Sequence, residues 1–397
     1  MTTEKLDDSS LKRRDFLKLP VIAGAGLILP TACDDSSAEN GTTQAADASQ
    51  SYVKLADALD KLPNGFPRTN SKVEIALLKK IFLPEEAWLA AQLTGTMEPV
   101  ADIARRTGLR EEETAARLGV MLDRGFVWGD AEQGYFRLAP FVVGIYEAQL
   151  EVMDHEVAHL FEEYLEQGGY NLMQYQPSLH RVVPSQSAVK SEWILPYDKL
   201  IELMNSCNTF RVNDCICRKQ QELIGGKRCN FPPHVELVFY TGGESSEPPV
   251  APFVTKEEAL AVLNQTEELG LVHTVSNVAE GVYYVCNCCG CCCAILRGIT
   301  DFGIAKSIAA ANYYATVAPT LCKGCGTCIN RCQVHATSLR DRVSVVDRSA
   351  CIGCGLCVTG CPAKAARLEP KPASERVEPP KNFASWEHER LVSRGME

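Results

Sequence analysis

The chain has 397 residues, a net charge of −10 and 46% hydrophobic residues. That length suits two or three domains with sizeable cores, and the acidic balance argues against nucleic-acid binding and against a basic membrane-surface patch. Its 19 cysteines are clustered, which points to metal binding rather than to a disulfide framework.

The first segment, 1–33, carries Lys12-Arg13-Arg14-Asp15-Phe16-Leu17-Lys18 followed by an apolar run from Leu19 to Leu29. A charged start, a short apolar core and small residues after it read as a signal peptide. The R-R-x-F-L-K string resembles the twin-arginine signal, which carries folded proteins across the membrane. Cys33 follows Leu29-Pro30-Thr31-Ala32, a degenerate lipobox with Pro30 where leucine is usual. It is the candidate lipidation site. The polar segment 34–51 reads as a flexible linker.

Segment 52–146 shows helical apolar spacing from Val73 to Leu93. Pro99–Ala104 then leads through Thr107-Gly108-Leu109 into a helix over Glu111–Asp123. Gly125–Trp128 and Tyr135–Leu138 form a hairpin. The order resembles a winged helix-turn-helix. Glu111, Glu112 and Glu113 open the presumed recognition helix and would repel phosphates. The expected role is docking to protein, not to nucleic acid.

Segment 147–310 is a cysteine-rich α/β region. It opens on His155-Glu156-Val157-Ala158-His159, which matches H-E-x-x-H. A zinc site there needs a third ligand. Glu162 stands where an extended motif has glycine, and nothing marks Glu192 or His180 as ligands. Glu147–Gln167 therefore reads as an acidic amphipathic helix with surface or packing histidines. Further on, Cys215 and Cys217 precede Cys229, and the run Cys286-Asn287-Cys288-Cys289-Gly290-Cys291-Cys292-Cys293 follows. Strands at Val235–Tyr240 and Gly281–Val285 and a helix at Lys256–Leu269 place both groups at element ends, where loops converge. Soft thiolates at this density favour iron–sulfur or zinc, with a redox thiol set as the alternative in an oxidising compartment. The expected ligands of this third site are Cys215, Cys217, Cys229, Cys286, Cys288 and Cys289. Cys207 reads as a buried bystander.

Segment 311–370 holds one pattern twice. Cys322, Cys325, Cys328 and Cys332 form C-x2-C-x2-C-x3-C, and Cys351, Cys354, Cys357 and Cys361 repeat it before Pro362. Each triplet wraps one cubane, and each fourth cysteine crosses to the other. Cys322, Cys325, Cys328 and Cys361 are thus expected on one [4Fe–4S] cluster, and Cys351, Cys354, Cys357 and Cys332 on a second. Ala336–Leu339 and Arg342–Val346 pair as short strands around Asp341. Over Ala311–Pro370 the chain resembles bacterial-type two-cluster ferredoxins. It departs from them at Gln333, where proline is usual. The motifs C-x-C-R and C-N-C-C-x-C-C-C resemble the cysteine-rich domain that precedes a ferredoxin module in a family of 4Fe–4S dicluster-containing proteins, over Tyr52 to Pro370. The tail, 371–397, reads as surface.

The expected fold is α+β and multidomain: a helical winged-helix-like domain, an α/β cysteine-rich middle domain and a C-terminal ferredoxin-like two-[4Fe–4S] module. The expected function is electron transfer through two [4Fe–4S] clusters and a third metal centre, either a further cluster or zinc. The expected partner is a membrane or periplasmic oxidoreductase, and Cys33 offers membrane anchoring. Two alternatives are a reductase subunit with its active site at the third cysteine group, and a redox-sensing regulator.

Overall fold

The first helix begins in the polar stretch ahead of Tyr52. The computed structural model describes residues 37–240 and 253–396; the signal segment, Cys33 and the Gly242–Pro252 connection lie outside them. Helix α1 (Ser37–Asp60) covers most of the segment expected to be a linker. That stretch contains no proline to stop it. Tyr52, Leu55, Ala56 and Leu59 are its buried face. The expected 73–93 helix is two, α2 (Val73–Ile81) and α3 (Pro84–Ala90). Pro84 cannot continue a helix but fits the first position of a new one. The strand β1 (Glu98–Pro99) leads into α4 (Val100–Thr107) and α5 (Glu111–Asp123). A hairpin of β2 (Val127–Asp130) and β3 (Tyr135–Leu138) follows, in a sheet ordered β1-β3-β2. Phe66, Phe141, Phe161 and Tyr164 pack ring to ring in the core beneath these elements.

Helix α6 (His155–Glu166) is shorter than the expected Glu147–Gln167, because Glu147–Gln149 winds as a 3-10 turn. Asp154 caps it by accepting from the Val157 amide at 2.8 Å. Its buried side presents Ala158, Phe161, Tyr164 and Leu165.

The middle region is built on six strands: β4 (His180–Val182), β5 (Thr209–Asp214), β6 (His234–Tyr240), β7 (Phe253–Val254), β8 (Val272–Ser276) and β9 (Tyr284–Cys288). Their order is β4-β8-β9-β6-β5-β7, antiparallel throughout. Around it lie α7 (Leu200–Asn205), α8 (Ile216–Leu223), α9 (Lys256–Leu269) and α10 (Ala294–Thr300). Helix α9 has a complete capping box, Thr255 with Glu258, and ends at Gly270 with φ 91°. Those signals are why its limits are readable from sequence. Glu162 of α6 and Arg297 of α10 form a buried ion pair, which ties the first helices to the sheet region.

The C-terminal module has β10 (Tyr313–Val317) paired with β13 (Ala366–Pro370), and β11 (Thr337–Arg340) paired with β12 (Val343–Val346). One-turn helices α11 (Thr327–Asn330) and α12 (Leu356–Thr359) close the two cysteine loops. Asp341 and Arg342 both have positive φ, 49° and 64°, as a two-residue hairpin turn requires. Residues Ala45–Glu397 make one compact unit. Among the described residues, no helix is long and apolar enough to cross a membrane.

The tail corrects the sequence reading. It folds into α13 (Phe383–Ser393) and docks, with Trp386 and Arg390 buried. Arg390 donates to the carbonyls of Pro63, Leu172, Tyr175 and Pro177 at 2.6–2.9 Å. One guanidinium serves all four carbonyls. Trp386 adds a bond from its Nε1 to the Ser178 carbonyl at 3.0 Å, and Glu387 and Arg394 pair with Arg137 and Asp60, so the docking rests largely on polar anchors that hydrophobic periodicity does not reveal. Arg390→Ala leaves several buried acceptors without a donor, each costing about 1–3 kcal/mol. The expected loss of stability is at least about 3 kcal/mol, read as a lowered denaturation midpoint. An unchanged midpoint would show that the tail is not part of the core.

Candidate metal centres

Two cysteine loops with the same local geometry hold the ferredoxin motif. Gly326 and Gly355 adopt φ of 78° and 82° as the N-caps of α11 and α12. That left-handed turn is open to glycine at little cost, and it curls each triplet inward. Cys322, Cys325, Cys328 and Cys361 line one cavity, so the fourth cysteine of the second motif crosses to the first. Cys332, Cys351, Cys354 and Cys357 neighbour one another in the second loop. Burial pushes the Cys357 thiol up to about 12, and Cys351 and Cys332 add to it. Such thiols are buried as anions only when a cation takes the charge. Backbone amides of Ser344, Ala365 and Ala336 point at the sulfurs of Cys322, Cys361 and Cys332 at 3.1–3.4 Å. The Ser344 hydroxyl lies 3.1 Å from Cys328 Sγ. The three amide donors stabilise negative charge on sulfur and raise a cluster's potential. Cys325 is exposed and Cys357 buried, so the first quartet faces outward and the second inward.

Residue 333 explains its own departure from proline. The Gln333 side chain accepts from the Gly290 amide at 2.9 Å and donates to the Gly270 carbonyl at 2.8 Å. A Cβ on residue 290 would run into the Gln333 carbonyl, so only glycine lets the two backbones approach. Beside it, Arg331 donates to the Glu267 and Glu268 carbonyls at the end of α9, at 2.8 and 2.7 Å. A cation at a helix C-terminus meets the negative end of the helix dipole. Cys332 is therefore one residue from a contact with the upstream cysteine loop.

The ten upstream cysteines of the described region separate by neighbourhood. Cys229, Cys289, Cys291 and Cys292 have all sulfurs within 4.8 Å of one another. Individual separations are 3.6–3.9 Å. A tetrahedral ion with metal–sulfur bonds of about 2.3 Å sets its ligand sulfurs about 3.8 Å apart. A cubane spreads its terminal thiolates to roughly 6 Å. The spacing therefore fits one metal ion. Hydrogen bonds from Cys291 and Cys292 hold the Cys289 thiol far below its ordinary range, and the bond to Cys289 pushes Cys291 up to about 12.

Of the six expected ligands, Cys229 and Cys289 join this group. Its other members, Cys291 and Cys292, were not among the expected six. Cys215, Cys217, Cys286 and Cys288 stand outside this group, next to one another and to Cys293, with Cys215 packed in one buried cluster with Cys289 and Cys292. The end of β9 separates the two sets. Cys286 and Cys288 point to one face of β9, whereas residues 289–292 lie past its end. Asn287 points the other way, donates to the Val235 carbonyl and accepts from Thr266 at 3.0 Å, which fixes the loop. Cys207 is buried apart from both sets, beside Leu203.

The H-E-x-x-H residues do not converge on a metal site. His155, Glu156 and His159 are exposed on α6, and Glu156 pairs with Lys80. Glu162 is engaged with Arg297, Gln220 and Gln221. His180 is buried in β4 with its Nε2 2.7 Å from the Tyr284 hydroxyl.

A family model described as a 4Fe-4S dicluster domain matches residues 321–365, the stretch with all eight motif cysteines. No curated protein and no solved structure matches the chain. If Gln333 supports the tetrathiolate loop through Gly290, Gln333→Ala weakens metal retention there on the order of 10-fold. Competition with a chelator measures this. Equal retention in the variant and the parent would show that the contact only packs.

Proposed function

We propose that the chain is an electron-transfer protein that carries two [4Fe–4S] clusters in its C-terminal module and a zinc ion at Cys229, Cys289, Cys291 and Cys292. The observation that carries this reading is the crossed quartet Cys322, Cys325, Cys328 and Cys361 around one cavity, within a stretch matching a 4Fe-4S dicluster domain. The first cluster, beside exposed Cys325, exchanges electrons with a protein partner. The second, near Cys332, faces the upstream region. The separation of the two follows from sharing the crossed motif and is on the order of 10 Å, short enough for fast electron exchange. Zinc has no redox chemistry of its own, so its part is to hold the cysteine loop that meets Gln333.

The twin-arginine-like signal supports export of the folded, loaded protein. Its partner is then a membrane or periplasmic oxidoreductase, and lipidation of Cys33 would hold it at the membrane. We read segment 52–146 as winged-helix-like and as a docking surface. The order of helices, short strand and hairpin supports that, and Glu111–Glu113 at the start of α5 disfavours nucleic acid.

The anaerobically purified chain should take up electrons from dithionite and show the EPR of two interacting reduced [4Fe–4S] clusters. Cys357→Ser should remove about half of that ferredoxin-type spin, one cluster of two. A chain that accepts no electrons would overturn the reading. Replacing Arg13 and Arg14 together with lysine should leave the protein in the cytoplasm, as seen by fractionation. Unchanged export would remove the twin-arginine route.

A further inference from the structure

We propose that Cys215, Cys217, Cys286, Cys288 and Cys293 hold a second upstream metal centre, an iron–sulfur cluster, separate from the tetrathiolate and rimmed by Glu236. The inference rests on the chain being an iron–sulfur protein, and it adds a centre that the ferredoxin motif does not provide.

The side chains form a closed circuit. Cys215 neighbours Cys217, Cys217 neighbours Cys293, Cys293 neighbours Cys288, and Cys288 neighbours Cys286. Glu236 neighbours Cys286 and Cys215 and completes it. The fold brings these residues together from four places. Strands β9, β6 and β5 are adjacent. Cys286 and Cys288 lie on one face of β9. Leu237 of β6 pairs with Val285 of β9, which sets Glu236 beside Cys286. A register shift at Asn213/Asp214 ends β5 and turns the chain into α8, with Cys215 at its N-cap and Cys217 in its first turn. Cys293 is the N-cap of α10.

These thiols do not gather as the tetrathiolate does. Among the described residues, only that group brings three or more such ligand atoms within 4.8 Å of one another. The circuit is wider, as the ferredoxin quartets are, and a wider ring of thiols suits a cluster rather than one ion. A bare core of thiols would also leave charge unanswered. Arg218 is fully buried, donates only to the Pro232 and Asn287 carbonyls, and has no carboxylate at salt-bridge distance among the described residues. The groups that act on its charge are Cys215, Cys289, Glu236 and Cys288, drawn from both cysteine sets. A buried guanidinium needs anions, and metal-bound thiolates are anions. Both carboxylate oxygens of Glu236 are buried, with only the Cys286 and Cys215 thiols and the Asn287 amide beside them and no cationic side chain at salt-bridge distance among the described residues. That is a costly arrangement unless a cation or a polar ligand lies in front of them.

A [4Fe–4S] cluster takes four of the five thiols. Removing two must therefore abolish it, whichever four serve. The test is iron, sulfide and zinc analysis of the anaerobically purified full chain, with Mössbauer spectra of the wild type. About twelve irons and one zinc are expected, from three cubanes and one mononuclear site. The double variant Cys217→Ser, Cys293→Ser should lose about a third of the iron, keep its zinc and keep the ferredoxin-type EPR. The double variant Cys291→Ser, Cys292→Ser should lose the zinc and keep all the iron. The Mössbauer count on unaltered protein decides the matter if a variant does not fold. About eight irons in the wild type would overturn the second centre and leave the electron-transfer reading intact. Full iron in the Cys217/Cys293 variant would overturn it as well. Absence of any ferredoxin-type signal would overturn both.

Discussion

The close approach of Gly290 to Gln333 is the contact on which the arrangement of centres depends. It sets a loop carrying Cys289, Cys291 and Cys292 against the residue that follows Cys332. Two backbones can meet there only because residue 290 has no side chain. The glutamine amide then uses both of its hydrogen-bonding ends, donating to Gly270 at the end of α9 and accepting from Gly290 in the cysteine loop. The ferredoxin-like module is thereby fixed on the cysteine-rich region, with Cys332 toward the upstream sulfurs.

Charge compensation follows from that packing. Thiols buried at this density are costly as anions and of little use as neutral groups. Arg218 sits where both upstream sets can act on it, and it has only carbonyls as direct acceptors. A cation placed between two thiolate groups lowers the cost of each. It also couples them, because a change of charge on one set alters the field at the other. A buried cation such as Arg218 beside a redox centre raises its potential, with no conformational change required.

Much of this was legible in the sequence, and the reasons differ by element. The ferredoxin motif is local, so its spacing alone specifies the crossed quartets. Helix α9 begins with a capping box and ends in glycine, and its limits could be read directly. The hairpin turn at Asp341 was readable for the same kind of reason. The division of the upstream cysteines was not, because it depends on which strands lie side by side and on a bulge at the end of β5. The end of β9 at Cys288 is what separates Cys286 and Cys288, on one face of the strand, from Cys289, Cys291 and Cys292 in the loop beyond it. The docked tail is not legible because its anchors are polar contacts to residues far away in the chain, Arg390 reaching four carbonyls and Arg394, Glu387 and Trp386 one partner or more each. Gln333 was visible only as a departure from a pattern, and its partner, Gly290, lies 43 residues earlier in the chain.

The central claim is that this chain holds a linked series of metal centres, from a buried upstream cluster to an exposed ferredoxin cluster. Anomalous X-ray diffraction at the iron and zinc edges, from crystals of the anaerobically purified chain, tests it most directly. The account predicts iron at both ferredoxin quartets and within the ring of Cys215, Cys217, Cys286, Cys288 and Cys293, and zinc among Cys229, Cys289, Cys291 and Cys292. Iron confined to the ferredoxin module, with no metal in the upstream ring, would contradict it.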